Sequence, residues 1–93
     1  MGPKTKELIN VLDRLIQMLD EDGQEHWCDW MSQARNWLVE SDFYGVEKVL
    51  LAYGGMGSFN DVYLSQITRK NEVFSELRTR AWELATEIKH EQK

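Results

Sequence analysis

The chain has 93 residues, 42% of them hydrophobic, and a formal net charge of −5. This length fits one domain, spanning residues 1–93, with a modest core, and the hydrophobic fraction argues against a disordered chain. An acidic protein repels phosphate groups, so we expect no nucleic-acid partner and no membrane partner. The same charge favours a basic protein as partner.

Two further features indicate the cellular location. No apolar run approaches the ~20 residues of a transmembrane helix, and no signal-peptide pattern precedes the first amphipathic segment. The single cysteine, Cys28, has no partner for an internal disulfide. We therefore expect a protein of the reducing cytoplasm.

Apolar residues at helical spacing predict two helices in the first half of the chain. The first spans about residues 5–20 and ends in the turn 20–23, where Gly23 is a natural helix stop. Its apolar stripe consists of Leu8, Ile9, Leu12, Leu15, Ile16 and Leu19. The second helix spans about residues 24–39, and its stripe consists of Trp27, Trp30, Met31, Ala34, Trp37 and Leu38. We expect an antiparallel hairpin in which the tryptophans contribute the largest side chains of the core and form one wall of it.

A third helix and a glycine-rich loop follow the hairpin. The helix is predicted over about residues 43–53, with Ser41 or Asp42 as its N-cap. We expect Gly54 and Gly55 to end it, one of them at positive φ. The inward-facing residues of this helix are predicted to be Val46, Val49, Leu50 and Tyr53.

The last long helix is predicted over about residues 72–90, with Asn71 as its N-cap. Before it, Asn60 or Asp61 is expected to cap a short turn over residues 62–64, and a brief extended segment over the same residues is the alternative. The buried stripe of the last helix is predicted to consist of Val73, Phe74, Leu77, Ala81, Leu84, Ala85 and Ile88. The predicted fold is all-α: a small single-domain bundle of four main helices, ordered over about residues 5–90, with a glycine-rich loop before the last helix.

Two stretches of the chain carry a resemblance to a known family. They are residues 42–45 (DFYG) and 50–61 (LLAYGGMGSFND), and they resemble the signature of a family of small, uncharacterised bacterial proteins. A His-Trp pair in the second helix and residues 80–84 (RAWEL) fit the same pattern. The family implies no catalytic residues. In general type the chain also resembles the immunity proteins encoded beside bacterial polymorphic toxins, which are short, acidic, helical and single-domain.

Negative charge is concentrated at the turn between the first two helices. Residues 13–29 hold six acidic residues against one basic residue, a local charge equal to that of the whole chain. One interpretation is a solvated turn that keeps the protein soluble. The other is a surface complementary to a basic cleft, because acidic patches speed association and suppress wrong partners. The predicted partner-binding residues here are Asp20, Glu21, Asp22, Glu25 and Asp29.

The glycine loop is the second candidate site. Three glycines fall within residues 54–57, and successive backbone N–H groups in such a turn form an anion-binding nest in some proteins. The loop lacks the lysine of a phosphate-binding loop and does not lie between a strand and a helix, which disfavours nucleotide binding. A tight connection with Met56 and Phe59 in the core is one alternative, and recognition of the exposed loop by a partner is another. The predicted partner-binding residues in it are Met56, Ser58, Asn60 and Asp61.

Other candidate residues are few. His26 and Cys28 point to different sides of a helix, so we expect neither a metal site with Asp29 nor a Cys-His nucleophile. We expect no catalytic residue, no metal and no cofactor. Trp82 lies off the stripe of the last helix and is expected to pack against residues 56–63, the alternative being an exposed interface anchor.

Together these features favour a binding protein over an enzyme. The resemblance implies an immunity protein, acting like an antitoxin, that neutralises a cognate toxin by occluding its basic active-site cleft, as a monomer or weak homodimer. One alternative is a helical adaptor that self-associates through its tryptophan-rich face. Another is a small-ligand or phosphate-binding protein that uses the glycine loop with Tyr44, Tyr53 and Asp61.

Overall fold

The computed structural model describes residues 2–54, 58–65 and 68–91. Its elements are α1 (Pro3–Glu21), α2 (Glu25–Val39), α3 (Tyr44–Leu51), a short 3-10 helix (Phe59–Asp61) and α4 (Thr68–Glu91). Over the described residues the structure contains no strand, and the predicted all-α fold of four main helices is confirmed. Within these same residues, no helix combines the length and the apolar character needed to cross a bilayer.

The four helices pack in ring order, so that each helix contacts the one before it and the one after it, and α4 closes the ring on α1. Pro3 begins α1, because the first position of a helix needs no backbone N–H. The helix therefore starts two residues before the predicted position. The buried apolar side chains form one core, made of Leu8, Val11, Leu12, Leu15, Leu19, Met31, Ala34, Leu38, Val46, Val49, Ala52, Phe59, Val62, Leu64, Phe74, Leu77, Ala81, Leu84, Ala85 and Ile88.

The predicted tryptophan wall of the core needs correction. The fully buried residues of α2 are smaller, namely Met31, Ala34 and Leu38. The three tryptophans of the helix are half-buried, namely Trp27, Trp30 and Trp37. The reason is the close approach of α3, since a Cβ on Gly45 would lie 2.8 Å from the Ala34 carbonyl oxygen and 2.7 Å from Leu38 Cγ. A tryptophan at the centre of this contact would hold the two helices apart.

Trp30 links the edge of α2 to α3 through contacts with Lys48. Its indole Nε1–H donates a 2.9 Å hydrogen bond to the carbonyl of Lys48. The Lys48 ammonium lies 3.7 Å from the centre of the same ring, a cation–π contact. The ring also packs against Trp27, with a centroid distance of 5.6 Å. This tryptophan therefore joins two helices rather than filling the core between them.

α3 ends two residues before the predicted position. The next two backbone N–H groups donate to carbonyls three residues back, both at 3.1 Å, so the chain leaves the helix through a tightened turn. Gly54 does not have a positive φ, and Gly55 lies outside the described residues, so the expectation of a positive φ at one of the two glycines stays a prediction. Among the described residues, positive φ occurs at Gly23 (75°), which closes the α1–α2 turn, and at Ser41 (61°), before α3.

Two short polar side chains support the starts of helices. The N-cap position of α3 is Phe43 rather than Ser41 or Asp42, but the Asp42 carboxylate accepts a 2.9 Å hydrogen bond from the N–H of Tyr44, the first residue of the helix. Ser58 caps the 3-10 helix, because its hydroxyl accepts from the N–H of Asn60 at 3.3 Å. The prediction that Asn60 or Asp61 caps a turn over residues 62–64 is wrong, because the helical turn comes earlier, at Phe59–Asp61. Asn60 lies inside the 3-10 helix, two residues after its cap.

Asn71 is not the cap of the last helix. α4 begins at Thr68, so Asn71 falls in its first turn. The Asn71 side chain accepts from the N–H of Leu64 at 2.7 Å and donates to the Leu64 carbonyl at 3.0 Å. These bonds hold the residues before α4 in place. Val62 has extended dihedral angles, which agrees with the extended alternative for this stretch.

Candidate functional site

The acidic residues at the α1–α2 turn are exposed. Asp20 and Glu21 end α1, while Glu25 and Asp29 lie on the first two turns of α2. None of the four takes part in the five ion pairs that the described residues form. Their negative charge is therefore available to a partner.

Asp22, the fifth predicted residue of the turn, bonds within the chain. Its carboxylate accepts from the backbone N–H of Ser65 at 2.9 and 3.1 Å and from the Ser65 hydroxyl at 2.7 Å. The Gln24 amide donates to it at 2.8 Å. The hydrogen bonds from Gln24 and Ser65 hold the pKa of Asp22 below its usual value. Asp22 therefore fastens the turn to the segment that precedes α4.

Side chains from the turn and from α4 hold residues 62–65, here called the strap. The Val62 carbonyl, the first of the strap, accepts a hydrogen bond from Arg78 at 2.7 Å. The Tyr63 carbonyl, the second, accepts one from the Gln24 amide at 2.9 Å. The third belongs to Leu64, which Asn71 bonds at both its N–H and its carbonyl. The first three carbonyls of the strap thus have hydrogen-bond donors without a neighbouring strand. The strap consequently holds the acidic turn in place through hydrogen bonds.

A cavity of about 140 Å³ at the start of α2 is here called the acidic depression, and its lining residues are Asp20, Gly23, Gln24, Glu25, Cys28 and Asp29. Burial raises the pKa of the Cys28 thiol, and the negative charges of Asp20 and Asp29 raise it further. The thiol donates a weak hydrogen bond to the carbonyl of Ile16 at 3.9 Å. A raised pKa disfavours the thiolate, which is the nucleophilic form of cysteine.

Positive charge lies close to the acidic turn, which the sequence analysis missed. A groove of about 410 Å³ between α1 and α4 is here called the basic groove, and its lining residues are Arg14, Gln17, Met18, Glu21, Arg69, Lys70 and Val73. The helical spacing of Arg14, Met18 and Glu21 places them on one face of α1, a signal present in the sequence. Arg69 and Lys70 reach this groove only because α4 packs on α1. This end of the bundle therefore carries both positive and negative charge rather than negative charge alone.

The predicted glycine-loop residues are divided between the fold and the surface. Ser58 is buried and caps the 3-10 helix, whereas Asp61 is exposed. Met56 lies outside the described residues. The Asn60 amide donates to the carbonyl of Tyr53 at 3.3 Å. Asn60 also faces a groove of about 280 Å³, distinct from the acidic depression, with the lining Tyr53, Asn60, Thr79 and Trp82.

Trp82, Tyr44 and Tyr53 differ in how far their side chains are buried and hydrogen-bonded within the chain. Trp82 is 46% exposed beside Asn60, so its predicted packing against residues 56–63 is at most partial. The Tyr53 hydroxyl donates to the carbonyl of Arg78 at 2.6 Å, and burial raises the pKa of Tyr53. Tyr44 begins α3 and is 70% exposed, while Tyr53 follows the other end of this helix. The two tyrosines therefore do not form one ligand site.

His26 packs against tryptophans. Its ring centroid lies 4.7 Å from that of Trp27 and 6.0 Å from that of Trp30. Across the part of the chain that the structure describes, no group of three or more His, Cys, Asp or Glu side chains is placed to hold a metal ion.

A family model described as "Domain of unknown function (DUF6966)" matches residues 20–72, more than half of the chain. The chain therefore belongs to this family. The matched span contains the acidic depression, α2, α3 and the strap. No curated protein and no solved structure matches the chain.

Proposed function

We propose that this member of the DUF6966 family is an immunity protein, a cytoplasmic, non-enzymatic binding protein that neutralises a cognate bacterial toxin. It acts by occlusion, covering the basic active-site cleft of the toxin with the acidic depression and the adjoining turn. One observation carries this proposal: four exposed carboxylates form no ion pair with any described residue, namely those of Asp20, Glu21, Glu25 and Asp29.

A fixed set of carboxylates suits rapid recognition of a basic surface. Complementary charge steers the two proteins together and penalises partners of the wrong sign. The hydrogen bond that Gln24 donates to the strap and those that Asp22 accepts from it hold the turn in one conformation. Little conformational entropy is then lost when a partner binds, which favours affinity.

Two titratable groups, one in the acidic depression and one in the groove beside the 3-10 helix, support binding rather than catalysis. General acid–base catalysis is most efficient when the pKa of the catalytic group lies near the working pH. Burial raises the pKa of the Cys28 thiol and of the Tyr53 hydroxyl, away from neutrality in both cases. Both groups also donate hydrogen bonds to backbone carbonyls of the chain.

Co-expression with a toxin tests this function. The partner is the toxin domain encoded by the gene next to that of this protein, expressed under an inducible promoter in a bacterial host. The wild-type protein restores growth. The variant Asp20→Lys, Glu25→Lys, Asp29→Lys, here called the depression variant, fails to restore it while keeping a helical circular dichroism spectrum, because exposed charges contribute little to stability.

The matched control reverses three exposed acidic residues away from the turn, Glu40→Lys, Glu76→Lys and Glu87→Lys. It changes the net charge of the protein by the same amount and protects the host like wild type. Protection by the depression variant equal to that of wild type would contradict the proposal, as would failure of the wild-type protein to restore growth.

A helical adaptor is the second candidate, favoured by the exposed face of α3. Tyr44 and Leu51 are 70% and 68% exposed and lie seven residues apart, on the same side of the helix. Large exposed apolar side chains that share a face mark interfaces. If the adaptor function is correct, Tyr44→Ser with Leu51→Ser abolishes partner binding, and the depression variant retains it.

A further inference from the structure

The basic groove combines positive charge with an apolar floor. Arg14, Arg69 and Lys70 line it together with Met18 and Val73, and among the described residues the only carboxylate in its lining is that of Glu21. Three cations thus converge on one surface of a chain whose net charge is −5. A guanidinium group binds carboxylates in a two-pronged geometry, so such a groove fits an acidic protein surface.

The arginines of the chain are used in two different ways. Arg35, Arg78 and Arg80 each donate hydrogen bonds to another part of the chain. Arg14 and Arg69 form no hydrogen bond and no ion pair with any described residue, and both line the basic groove. The two guanidinium groups without a role in the fold therefore lie on one surface, where their charge is available to a partner.

We propose that the basic groove binds the acidic depression of a second copy of this chain, forming a symmetric homodimer. The occupant has the required chemistry, because Asp20, Glu25 and Asp29 are exposed carboxylates on a single cavity. Because every copy of the chain carries both surfaces, the acidic depression is always present at the same concentration as the basic groove. This proposal does not depend on the toxin-binding function and is tested without toxin, but both partners use the acidic depression, so a toxin and a second copy compete for it. Self-association then lies at the charged end of the bundle rather than on the tryptophans.

The arrangement of the two surfaces makes this pairing self-complementary. The basic groove lies between α1 and α4, and the acidic depression lies at the junction of α1 and α2. They therefore flank the last turns of α1 on its two sides. A twofold axis parallel to α1 sets the groove of each copy against the depression of the other, whereas a twofold axis perpendicular to α1 sets like charges together. The pairing then occurs twice in one closed dimer.

Sedimentation velocity as a function of protein concentration and salt measures this association. The wild-type protein dimerises with rising concentration, and added salt returns it to monomer, because the contact is mainly electrostatic. The groove variant Arg14→Glu, Arg69→Glu stays monomeric, and so does the two-site variant Asp20→Lys, Glu25→Lys. The control variant Lys6→Glu, Lys89→Glu has the same charge change as the groove variant at the other end of the bundle and dimerises like wild type.

Mixing the two monomeric variants gives the decisive result. In the mixture, the acidic groove of one variant faces the basic depression of the other, and both contacts of the twofold pair are again complementary. An equimolar mixture therefore forms a heterodimer, although neither variant dimerises alone. A wild-type protein that remains monomeric from micromolar to millimolar concentration overturns the proposal, and so does a mixture that remains monomeric while the wild type dimerises.

Discussion

At the scale of single residues, Asp22 differs from the other carboxylates of the turn. Its charge stabilises the fold, whereas theirs is available to a partner. Its carboxylate bonds to Ser65 and Gln24, and these bonds hold its pKa below the usual 3.8. A depressed pKa in the folded state means that ionised Asp22 stabilises the protein above the unfolded pKa. This contribution is lost as the pH falls through the folded pKa. The relevant window is therefore the acid range below about pH 4.

We predict that Asp22→Asn lowers the free energy of unfolding at pH 7, and that the difference from wild type shrinks as the pH falls below about 4. Asparagine replaces one acceptor oxygen by a donor group, so the strap loses part of its support. Urea unfolding at several pH values measures the difference. The matched control is Glu25→Gln, an exposed carboxylate of the same turn that forms no ion pair among the described residues. A stability loss that is constant over the whole pH range would contradict the role assigned to the Asp22 carboxylate.

At the scale of helices, the contact between α2 and α3 depends on the missing side chain of Gly45. Alanine is normally a better helix former than glycine, by roughly 1 kcal/mol. At this position, however, the added Cβ would meet the Ala34 carbonyl oxygen at 2.8 Å and Leu38 Cγ at 2.7 Å. Overpacking of this kind costs about 1–3 kcal/mol, so the clash outweighs the gain in helix propensity. We predict that Gly45→Ala destabilises the protein, measured as a lower thermal midpoint.

Gly54→Ala is the control for this prediction. Among the residues that the structure describes, apart from its chain neighbours, no atom lies within 4 Å of a Cβ placed on Gly54, and Gly54 does not have a positive φ. The substitution is expected to leave stability unchanged or to raise it slightly, because alanine restricts the unfolded chain. If Gly45→Ala proved as stable as wild type, or Gly54→Ala proved the more damaging change, the close approach of α2 and α3 would be placed wrongly.

The helices were predictable from the sequence to the extent that burial alone determines them. The stripe of α1 follows from its spacing, because a helix that packs on one side buries every third or fourth residue. Asn71 shows the limit of this reasoning. Its position before Glu72 matches a capping signal, but the helix starts earlier, and the Asn71 side chain bonds to Leu64. A contact between a helix and a separate segment depends on tertiary packing, which a local pattern does not contain.

At the scale of the whole molecule, the charge distribution was only half predictable. The acidic turn is a continuous stretch of sequence, so counting charges reveals it. The basic groove combines Arg14 with Arg69 and Lys70 from the other end of the chain, and only the packing of α4 against α1 joins them. The candidate site is therefore bounded on one side by positive charge. The surface offered to a basic partner is then the α2 side of the turn, around the acidic depression.

The association rate with the toxin domain tests this account most directly. It is measured as a binding time course for the wild-type protein and the depression variant, at low and at high ionic strength. We predict that the wild-type rate falls as salt rises, and that the depression variant associates slowly and with little dependence on salt, because the steering charges are gone. Equal association rates for the two proteins, with binding lost instead by changes at Asn60 or Trp82, would contradict the account and move the interface to the groove beside the 3-10 helix.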